Sequence, residues 1–171
     1  MMEHLREAGN FTAWEDDKYA HAKRSEGTLT GQPVVLWQPQ TYMNRSGETV
    51  RHIVDKFEAH PAEIIVVYDD VDLPVGELKI SVGRGAGGHN GVQSVIDHIG
   101  KEFVRVRVGV AKKSLLTGRT KRPQAAELSQ HVLGKFSFFE QATLRSVMQS
   151  VQQVVCIIAC KGVEKAMNEC N

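Results

Sequence analysis

The sequence predicts an α/β fold, in the form of a single-domain three-layer sandwich around a mixed, mostly parallel sheet. Segments with the β-branched content or the alternation of strands are interleaved with segments of helical periodicity, a pattern that places helices on both faces of a sheet. The chain has 171 residues, without an internal repeat or a linker. This length suits one domain and is sufficient for a buried core. We therefore expect residues 1–171 to form one domain.

The first half of the chain contains two predicted strands and one predicted helix. Residues 33–39, PVVLWQP, are rich in β-forming residues and are bounded by prolines, which indicates a strand. Residues 46–58 carry apolar side chains at the spacing of an amphipathic helix, with Ser46 as a suitable N-cap. Residues 63–70, EIIVVYDD, form a continuous β-branched run, which is typical of a strand buried on both faces of a sheet.

The second half continues the alternation of strands and helices. Residues 77–83, ELKISVG, alternate apolar and polar side chains, so we expect a half-exposed strand. Residues 91–100 fit a helix of about two turns that ends at Gly100. Residues 103–110, FVRVRVGV, predict a strand in which the valines face one side and the two arginines face the other.

The two ends of the chain are predicted from weaker patterns. Residues 1–11 have the composition of a helix, and residues 18–25 alternate as a strand does. From Ala125 onward the periodicity predicts a long C-terminal helix that is interrupted at Gly162. The basic segment 111–124 has no clear period, which indicates a mobile loop.

The cysteines and the hydropathy of the chain bear on its location. An odd, clustered set of three, Cys156, Cys160 and Cys170, indicates a reducing compartment rather than a disulfide framework. Cys156 and Cys160 share one face of a predicted helix, and we interpret them as small core residues. The start of the chain is polar and acidic, and no apolar run is long enough for a membrane span. These features predict a cytoplasmic protein.

The charges of the chain are unevenly distributed. Residues 1–78 hold seven basic and fourteen acidic residues, whereas residues 79–123 hold ten basic and two acidic residues. A basic segment is either an ordinary solvated face or a local footprint for a polyanion such as nucleic acid. The basic residues of this segment are Lys79, Arg84, Lys101, Arg105, Arg107, Lys112, Lys113, Arg119, Lys121 and Arg122.

The glycine-rich stretch 81–91, SVGRGAGGHNG, spells the G-x-G-x-x-G pattern of dinucleotide-binding folds. That pattern follows a buried strand and requires an acid at the end of a second strand, whereas Asp97 and Glu102 lie elsewhere. We therefore reject a dinucleotide site. The glycines instead predict a flexible frame that delivers His89 and Asn90 to a substrate. Asn90 is also compatible with a purely structural role as the N-cap of the following helix.

Two further stretches place polar side chains close to the ends of strands. Residues 38–47 present Tyr42, Met43 and Asn44 ahead of a helix. The other stretch, residues 66–77, places three acids just past a buried strand, namely Asp69, Asp70 and Asp72. Three acids suit either a divalent cation or a solvated turn, since DLPVG is a strong turn sequence. Because ligands of open α/β sheets bind beyond the carboxyl ends of strands, we expect these stretches and the glycine frame to share one cleft.

In these stretches the sequence resembles peptidyl-tRNA hydrolases of the bacterial type. The resemblance covers roughly residues 33–145, with a small departure at Arg84. One such segment is modest evidence, whereas five in series with suitable spacing are specific. The matching segments are PQTYMNRSG, YDDVDLPVG, GRGAGGHNG, FVRVRVGV and HVLGKFSFFE.

The resemblance implies a monomeric cytosolic ester hydrolase without metal or cofactor. It would cleave the ester that joins a stalled peptide to the terminal ribose of tRNA, and so recycle the tRNA for translation. Asn44 and Asn90 resemble the two asparagines that hold the substrate's 3′ end and peptide backbone. Tyr42 resembles the aromatic residue that contacts tRNA, and Met43 a wall of the cleft. Asp69 resembles the acid that orients the catalytic histidine.

The resemblance also assigns a role to the basic loop. Segment 111–124 is similar to a mobile flap over the cleft, and its positive charge suits the phosphates of an acceptor stem. The basic residues that would contact tRNA are Lys112, Lys113, Arg119, Lys121 and Arg122.

One part of the family pattern has no counterpart in the sequence. The family's opening segment, G-L-G-N-P-G-x-x-Y-x-x-T-R-H-N, supplies the first central strand and the catalytic histidine. We therefore expect an N-terminally truncated domain of marginal stability, because each buried unpaired backbone group costs on the order of 1–3 kcal/mol. His89 is either a substitute base or a structural neighbour of the cleft. A misassigned start codon would explain the truncation, and a non-catalytic relative that binds RNA is the alternative.

Overall fold

The computed structural model describes residues 1–111 and 138–171. The described residues form the α-helices α1 (Met2–Ala8), α2 (Ser46–Phe57), α3 (Asn90–Ile99), α4 (Phe138–Lys161) and α5 (Val163–Cys170). They also form the β-strands β1 (Asn10–Phe11), β2 (Glu15–Asp17), β3 (Ala22–Leu29), β4 (Gln32–Pro39), β5 (Ile65–Pro74), β6 (Leu78–Ser81) and β7 (Val104–Ala111). Single 3₁₀ turns at Met43–Arg45 and Pro61–Glu63 precede α2 and β5.

The strands form two sheets. In the first sheet β3 is central, and it pairs antiparallel with β4 along its whole length and with β1 and β2. In the second sheet β7 is central, parallel to β5 and antiparallel to β6. The predicted α/β class with a mixed sheet is therefore confirmed. Among the described pairs only β5–β7 is parallel, so the expected majority of parallel pairing is not found in this part of the chain.

Two apolar clusters place helices on both faces of the β5–β7 sheet, as the three-layer prediction requires. The larger cluster joins the valines of β7 to α4, α5 and α1, and it also takes in Leu29 and Leu36 of the first sheet. The smaller cluster lies between the opposite face and helices α2 and α3. Its buried members are Val50, Val92, Val95 and Phe103.

A tight hairpin connects β3 and β4. The two connecting residues, Thr30 and Gly31, have φ angles of 50° and 82°. Positive φ at both central positions is the type I′ turn, whose twist matches that of the flanking strands. The hairpin tip contacts α4, where Thr30 Oγ1 lies 2.6 Å from Cys160 Sγ.

Strand β5 differs from its prediction in burial and length. Its residues through Val71 are half-buried, so the expectation of burial on both faces is wrong. Among the described strands β5 pairs only with β7, and local hydrophobicity does not report how many neighbours a strand has. The strand also continues to Pro74, so Asp69, Asp70 and Asp72 lie within it rather than beyond it.

Strands β6 and β7 are more buried than their alternation predicts. Ile80 and Ser81 are both buried, so β6 is exposed only near its start. Arg105 is fully buried although it lies opposite the valines of β7. The reason is that helices cover both faces of this sheet, so alternation of residue type does not produce alternation of burial.

The described ends of α2 and α3 lie within one residue of their predicted ends, whereas the predicted start of the C-terminal helix at Ala125 lies outside the described residues. Helix α3 ends at Gly100, which has φ 79° and donates its N–H to Ile96 O. The interruption at Gly162, with φ 84°, is confirmed as well. Ser46 is not the N-cap of α2: it is the first helical residue, and its hydroxyl donates to Met43 O at 2.9 Å.

The chain ends give mixed outcomes. The predicted N-terminal helix is found as α1, whereas the strand expected at 18–25 starts only at Ala22. Cys156 and Cys170 are partly buried against the larger cluster, but Cys160 is exposed, so its assignment to the core is wrong. Residues 112–137, which include most of the predicted flap, lie outside the described residues.

Neither of the described stretches, 1–111 and 138–171, contains a helix that is long and apolar enough to cross a membrane.

Candidate active site

Two glycines allow helices α2 and α3 to approach closely. A Cβ atom at Gly47 would overlap the backbone carbonyl of Ser94, and the Gly47 N–H donates to Ser94 Oγ at 3.0 Å. A Cβ atom at Gly91 would lie 2.5 Å from Met43 Sδ. Because these positions lack side chains, the 3₁₀ turn Met43–Arg45 packs against the start of α3.

The 3₁₀ turn presents three predicted site residues to solvent. Tyr42 is 80% exposed and Met43 is 56% exposed, which is unusual for large apolar side chains. Asn44 is exposed between them and α2. The backbone under these side chains is fixed, since Arg45 N donates to Tyr42 O at 2.8 Å.

Helix α3 begins with a histidine cap. His89 Nδ1 accepts hydrogen bonds from the backbone N–H groups of Gly91 and Val92, at 3.1 and 3.2 Å. His89 is therefore the N-cap, and the alternative that assigned this role to Asn90 is wrong. Asn is preferred over His as an N-cap. Which of the two adjacent residues becomes the cap depends on the path of the glycine frame that precedes α3. Asn90 is the first helical residue and is exposed.

The capping bonds determine the tautomer of His89. An Nδ1 that accepts two hydrogen bonds carries a lone pair, so the neutral ring carries its proton on Nε2. Nε2 lies 3.7 Å from Asp69 Oδ1, and the ring packs edge-to-face on Tyr68 with centroids 5.0 Å apart. The adjacent imidazole lowers the pKa of the Asp69 carboxyl, against the opposing effect of burial.

The neighbouring acids on β5 take different partners. Asp70 accepts a hydrogen bond from Arg107 Nε at 2.7 Å, in an ion pair that is largely shielded from solvent. The carboxylate of Asp70 also accepts from Asp72 N at 2.8 Å. Nowhere in residues 1–111 and 138–171 do three His, Cys, Asp or Glu side chains converge in a way that could hold a metal ion.

A cavity of about 750 Å³ gathers four of the predicted site residues, Met43, Asp69, His89 and Asn90. Residues 84–88 of the glycine frame also line it, as do Tyr68, Asp70 and Arg107. The expectation that residues 66–77 and the glycine frame share a cleft is thus met by the geometry. Tyr68 supplies a ring whose pKa is raised by burial.

Tyr42 and Asn44 are not among the residues that line this cavity. Tyr42 instead lines a second cavity of about 470 Å³, together with His21, Gln40, Thr41 and Arg45. The 3₁₀ turn lies between the two cavities, so the predicted tRNA-contacting residues border the cleft rather than enter it. The five basic flap residues cannot be placed, because they lie outside the described residues: Lys112, Lys113, Arg119, Lys121 and Arg122.

Sequence reasoning missed several cleft residues. Tyr68 was not predicted, and Arg107 was named only as a member of the basic segment. The two residues face each other across the parallel pair β5–β7, and this register is a long-range property that local patterns do not reveal. Met167 of α5 and Asn171, the residue that follows this helix, also line the cleft. The Asn171 carboxamide binds the outer edge of β6: Oδ1 accepts from Ile80 N at 2.7 Å, and Nδ2 donates to Ile80 O at 3.1 Å.

Comparison with known proteins identifies one protein family. A family model described as peptidyl-tRNA hydrolase matches residues 1–171. A peptidyl-tRNA hydrolase of Dehalococcoides mccartyi is 36% identical over 157 residues, which cover 91% of this chain and 80% of that protein. One of Nostoc sp. is 38% identical over 170 residues, which cover 98% of this chain and 81% of that protein.

The fold agrees with these sequence relationships. The crystal structure of peptidyl-tRNA hydrolase from Acinetobacter baumannii superposes with a TM-score of 0.87 at 30% identity, and the match covers 99% of this chain and 82% of that chain. A crystal structure of a peptidyl-tRNA hydrolase in complex with N-propanol gives the same TM-score, at 29% identity.

Proposed function

We propose that this chain, which belongs to the peptidyl-tRNA hydrolase family, acts on the ester that joins a peptide to the 3′ end of tRNA. Hydrolysis would free peptide from tRNA that has left the ribosome prematurely, and so return the tRNA to translation. The observation that carries the proposal is the cleft that gathers Met43, Asp69, His89 and Asn90. The three unpaired cysteines fit work in the cytoplasm, and we propose a monomer without cofactor.

The reaction asks for few groups. A water oxygen bonds to the ester carbonyl carbon, and the bond from that carbon to the ribose oxygen breaks. The ribose oxygen takes one of the two protons of the water, the other passes through the general base to solvent, and the peptide leaves as a carboxylate. The exposed amides of Asn44 and Asn90 suit the substrate's ribose and peptide groups, because an amide both donates and accepts hydrogen bonds.

The reaction also needs a general base that takes a proton from the attacking water. His89 is unsuited to it, since Nδ1 already accepts two backbone N–H groups and the proton on Nε2 faces Asp69. We propose that the base is a histidine of the family's opening segment, oriented by Asp69; no match to the pattern of that segment occurs among the 171 residues.

The sheet edges support this proposal. Among the described strands, β4 pairs only with β3 and β5 only with β7, so each has an edge without a partner strand. The half-buried β-branched residues of β5 are what an additional neighbouring strand would cover.

The test compares two forms of the protein. The 171-residue chain and a form extended by the family's opening segment are each given peptidyl-tRNA and an analogue whose ester is replaced by an amide. We expect both forms to bind the analogue and only the extended form to release peptide. Release by the shorter chain at the same rate would show that the base lies within it.

A non-catalytic tRNA-binding relative is the second candidate, favoured by the engagement of both His89 nitrogens. Tight binding by both forms without release by either would support it. The intact mass of the protein from its native cell shows which form exists.

We also propose, from the sequence, that the basic flap residues contact tRNA. If they contact acceptor-stem phosphates, neutralising them should flatten the dependence of log affinity on log salt by about 0.9 per lost contact. The variant would replace five residues by Gln, namely Lys112, Lys113, Arg119, Lys121 and Arg122. An unchanged slope would mean that they form an ordinary solvated loop.

A further inference from the structure

On the outer edge of β6, the backbone N–H and C=O groups of one residue both form hydrogen bonds to a side chain. In an antiparallel pair, a residue exchanges either both its N–H and C=O with the partner strand or neither. Ile80 lies opposite Val106 of β7, and both its backbone groups bond to Asn171 instead. The single carboxamide of Asn171 therefore acts as one residue of a neighbouring strand would.

This edge belongs to the candidate active site. Ile80 and Asn171 line the same cavity as Asp69, His89 and Asn90. Met167 of α5, four residues before Asn171, lines it too and adds an apolar side chain. The cleft thus connects the proposed site of ester cleavage with a strand edge that can form backbone hydrogen bonds.

A substrate with variable side chains favours this kind of contact. Peptides released from tRNA differ in sequence, so affinity has to come from groups that all of them share. Pairing of an extended peptide with a sheet edge uses only main-chain N–H and C=O groups.

We propose that the peptide part of the substrate binds as an added strand at Ile80 of β6, and that it displaces the Asn171 carboxamide. The proposal rests on the proposed function, since it presupposes a peptidyl-tRNA substrate. Asn171 then competes with peptides that are long enough to reach Ile80 and leaves shorter ones unaffected. If Asn171 merely fastens α5 to the sheet, its removal changes stability without discriminating between peptide lengths.

The experiment compares two amide-linked peptidyl-tRNA analogues, one with a single acylated residue and one with four residues. In extended form these differ in reach, about 3.4 Å against about 14 Å. Their dissociation constants are measured for the wild type, for Asn171→Ala and for the control Asn168→Ala. The control removes an exposed asparagine of α5, the helix that Asn171 follows.

Removing Asn171 should tighten binding of the four-residue analogue by about fivefold, because two modest hydrogen bonds no longer have to be broken first. Binding of the one-residue analogue should stay within about twofold, and Asn168→Ala should change neither. In Asn171→Ala, hydrogen exchange at the Ile80 amide should slow with the four-residue analogue and not with the one-residue analogue.

Other results overturn the inference. If Asn171→Ala changes the dissociation constants of both analogues equally or changes neither, strand pairing at Ile80 is wrong. A lowered melting temperature would then identify Asn171 as a residue that only holds α5 on the sheet. If neither analogue binds more tightly than deacylated tRNA, the proposed function itself fails and the strand pairing fails with it. Asn171→Asp keeps the acceptor for Ile80 N and loses the donor, so it should reproduce the direction of the effect in a second variant.

Discussion

The two sheets treat buried polar groups differently. In the β1–β4 sheet, Asp17 accepts from Tyr19 N, Ala20 N and Lys56 Nζ, and the Ser25 hydroxyl donates to Thr12 O. In the β5–β7 sheet, the guanidinium of Arg105 and the hydroxyl of Ser81 are buried without a hydrogen-bond partner in the part of the chain that the structure describes.

The difference indicates a division of work. A buried polar group without a partner costs about 1–3 kcal/mol, so the first sheet is built for stability. The second sheet contains the cleft and retains polar groups that do not stabilise it. Arg105 has one compensating contact, since its guanidinium carbon lies 4.5 Å from the centroid of the Phe103 ring.

The largest expected effect tests the first sheet. Asp17→Ala should lower the free energy of unfolding by about 2 kcal/mol, because it leaves the turn before β3 without its acceptor. Hydrogen bonds from Lys56 and then Ala20 lower the pKa of Asp17 to about 2. Chemical denaturation of wild type and variant at neutral pH measures the difference.

The same pair of proteins makes a prediction for pH. A carboxyl whose pKa is lowered on folding stabilises the protein above its unfolded pKa and loses this contribution as the pH falls through the folded value. The stability gap between wild type and Asp17→Ala should be constant above about pH 4 and should close toward about pH 2. A gap that persists at about pH 2 would show that Asp17 acts through packing rather than through its charge.

The second sheet should respond with the opposite sign. Arg105→Met removes a buried charge and keeps a long apolar stem, so we expect stability to rise by about 1–2 kcal/mol. Arg107→Met is the contrasting variant, since it removes the partner of Asp70 and should destabilise. A loss of stability in Arg105→Met would mean that the contact with Phe103 outweighs the desolvation of the guanidinium.

The smallest change in stability is expected at the cleft. Asn90→Ala should alter the melting temperature little, because His89 rather than Asn90 caps α3. It should weaken binding of an amide-linked peptidyl-tRNA analogue by about tenfold, because the hydrogen bonding of an uncharged amide to the substrate is lost. Equal losses of binding and of thermal stability would assign Asn90 a structural role.

The sequence predicts the elements of the fold better than their surroundings. Three segments form the strand or helix that their periodicity predicts, namely residues 33–39, 46–58 and 103–110. The side-chain pattern and the backbone conformation of these segments follow the same geometry. The half-burial of β5 and the full burial of Arg105 depend on which elements cover a strand, and that information is not local.

The same distinction applies to the candidate site. Asp69, His89 and Asn90 could be assigned to one cleft from the convergence of strand ends and glycine-rich turns in α/β sheets, although Asp69 lies within β5 rather than beyond its end. The cap at His89 could not be foreseen, since it depends on a one-residue choice of where α3 begins. The Asn171–Ile80 contact joins residues 91 positions apart, and no periodicity connects them.

The type I′ turn at Thr30 and Gly31 has a consequence for the order in which the protein folds. A hairpin closed by two residues can form within about 1–10 μs, before distant parts of the chain have met. The parallel pair β5–β7 must wait for the intervening helix, because it brings together residues such as Ile65 and Val104. We therefore expect β3 and β4 to be protected from hydrogen exchange early in refolding, and the cleft to be completed late.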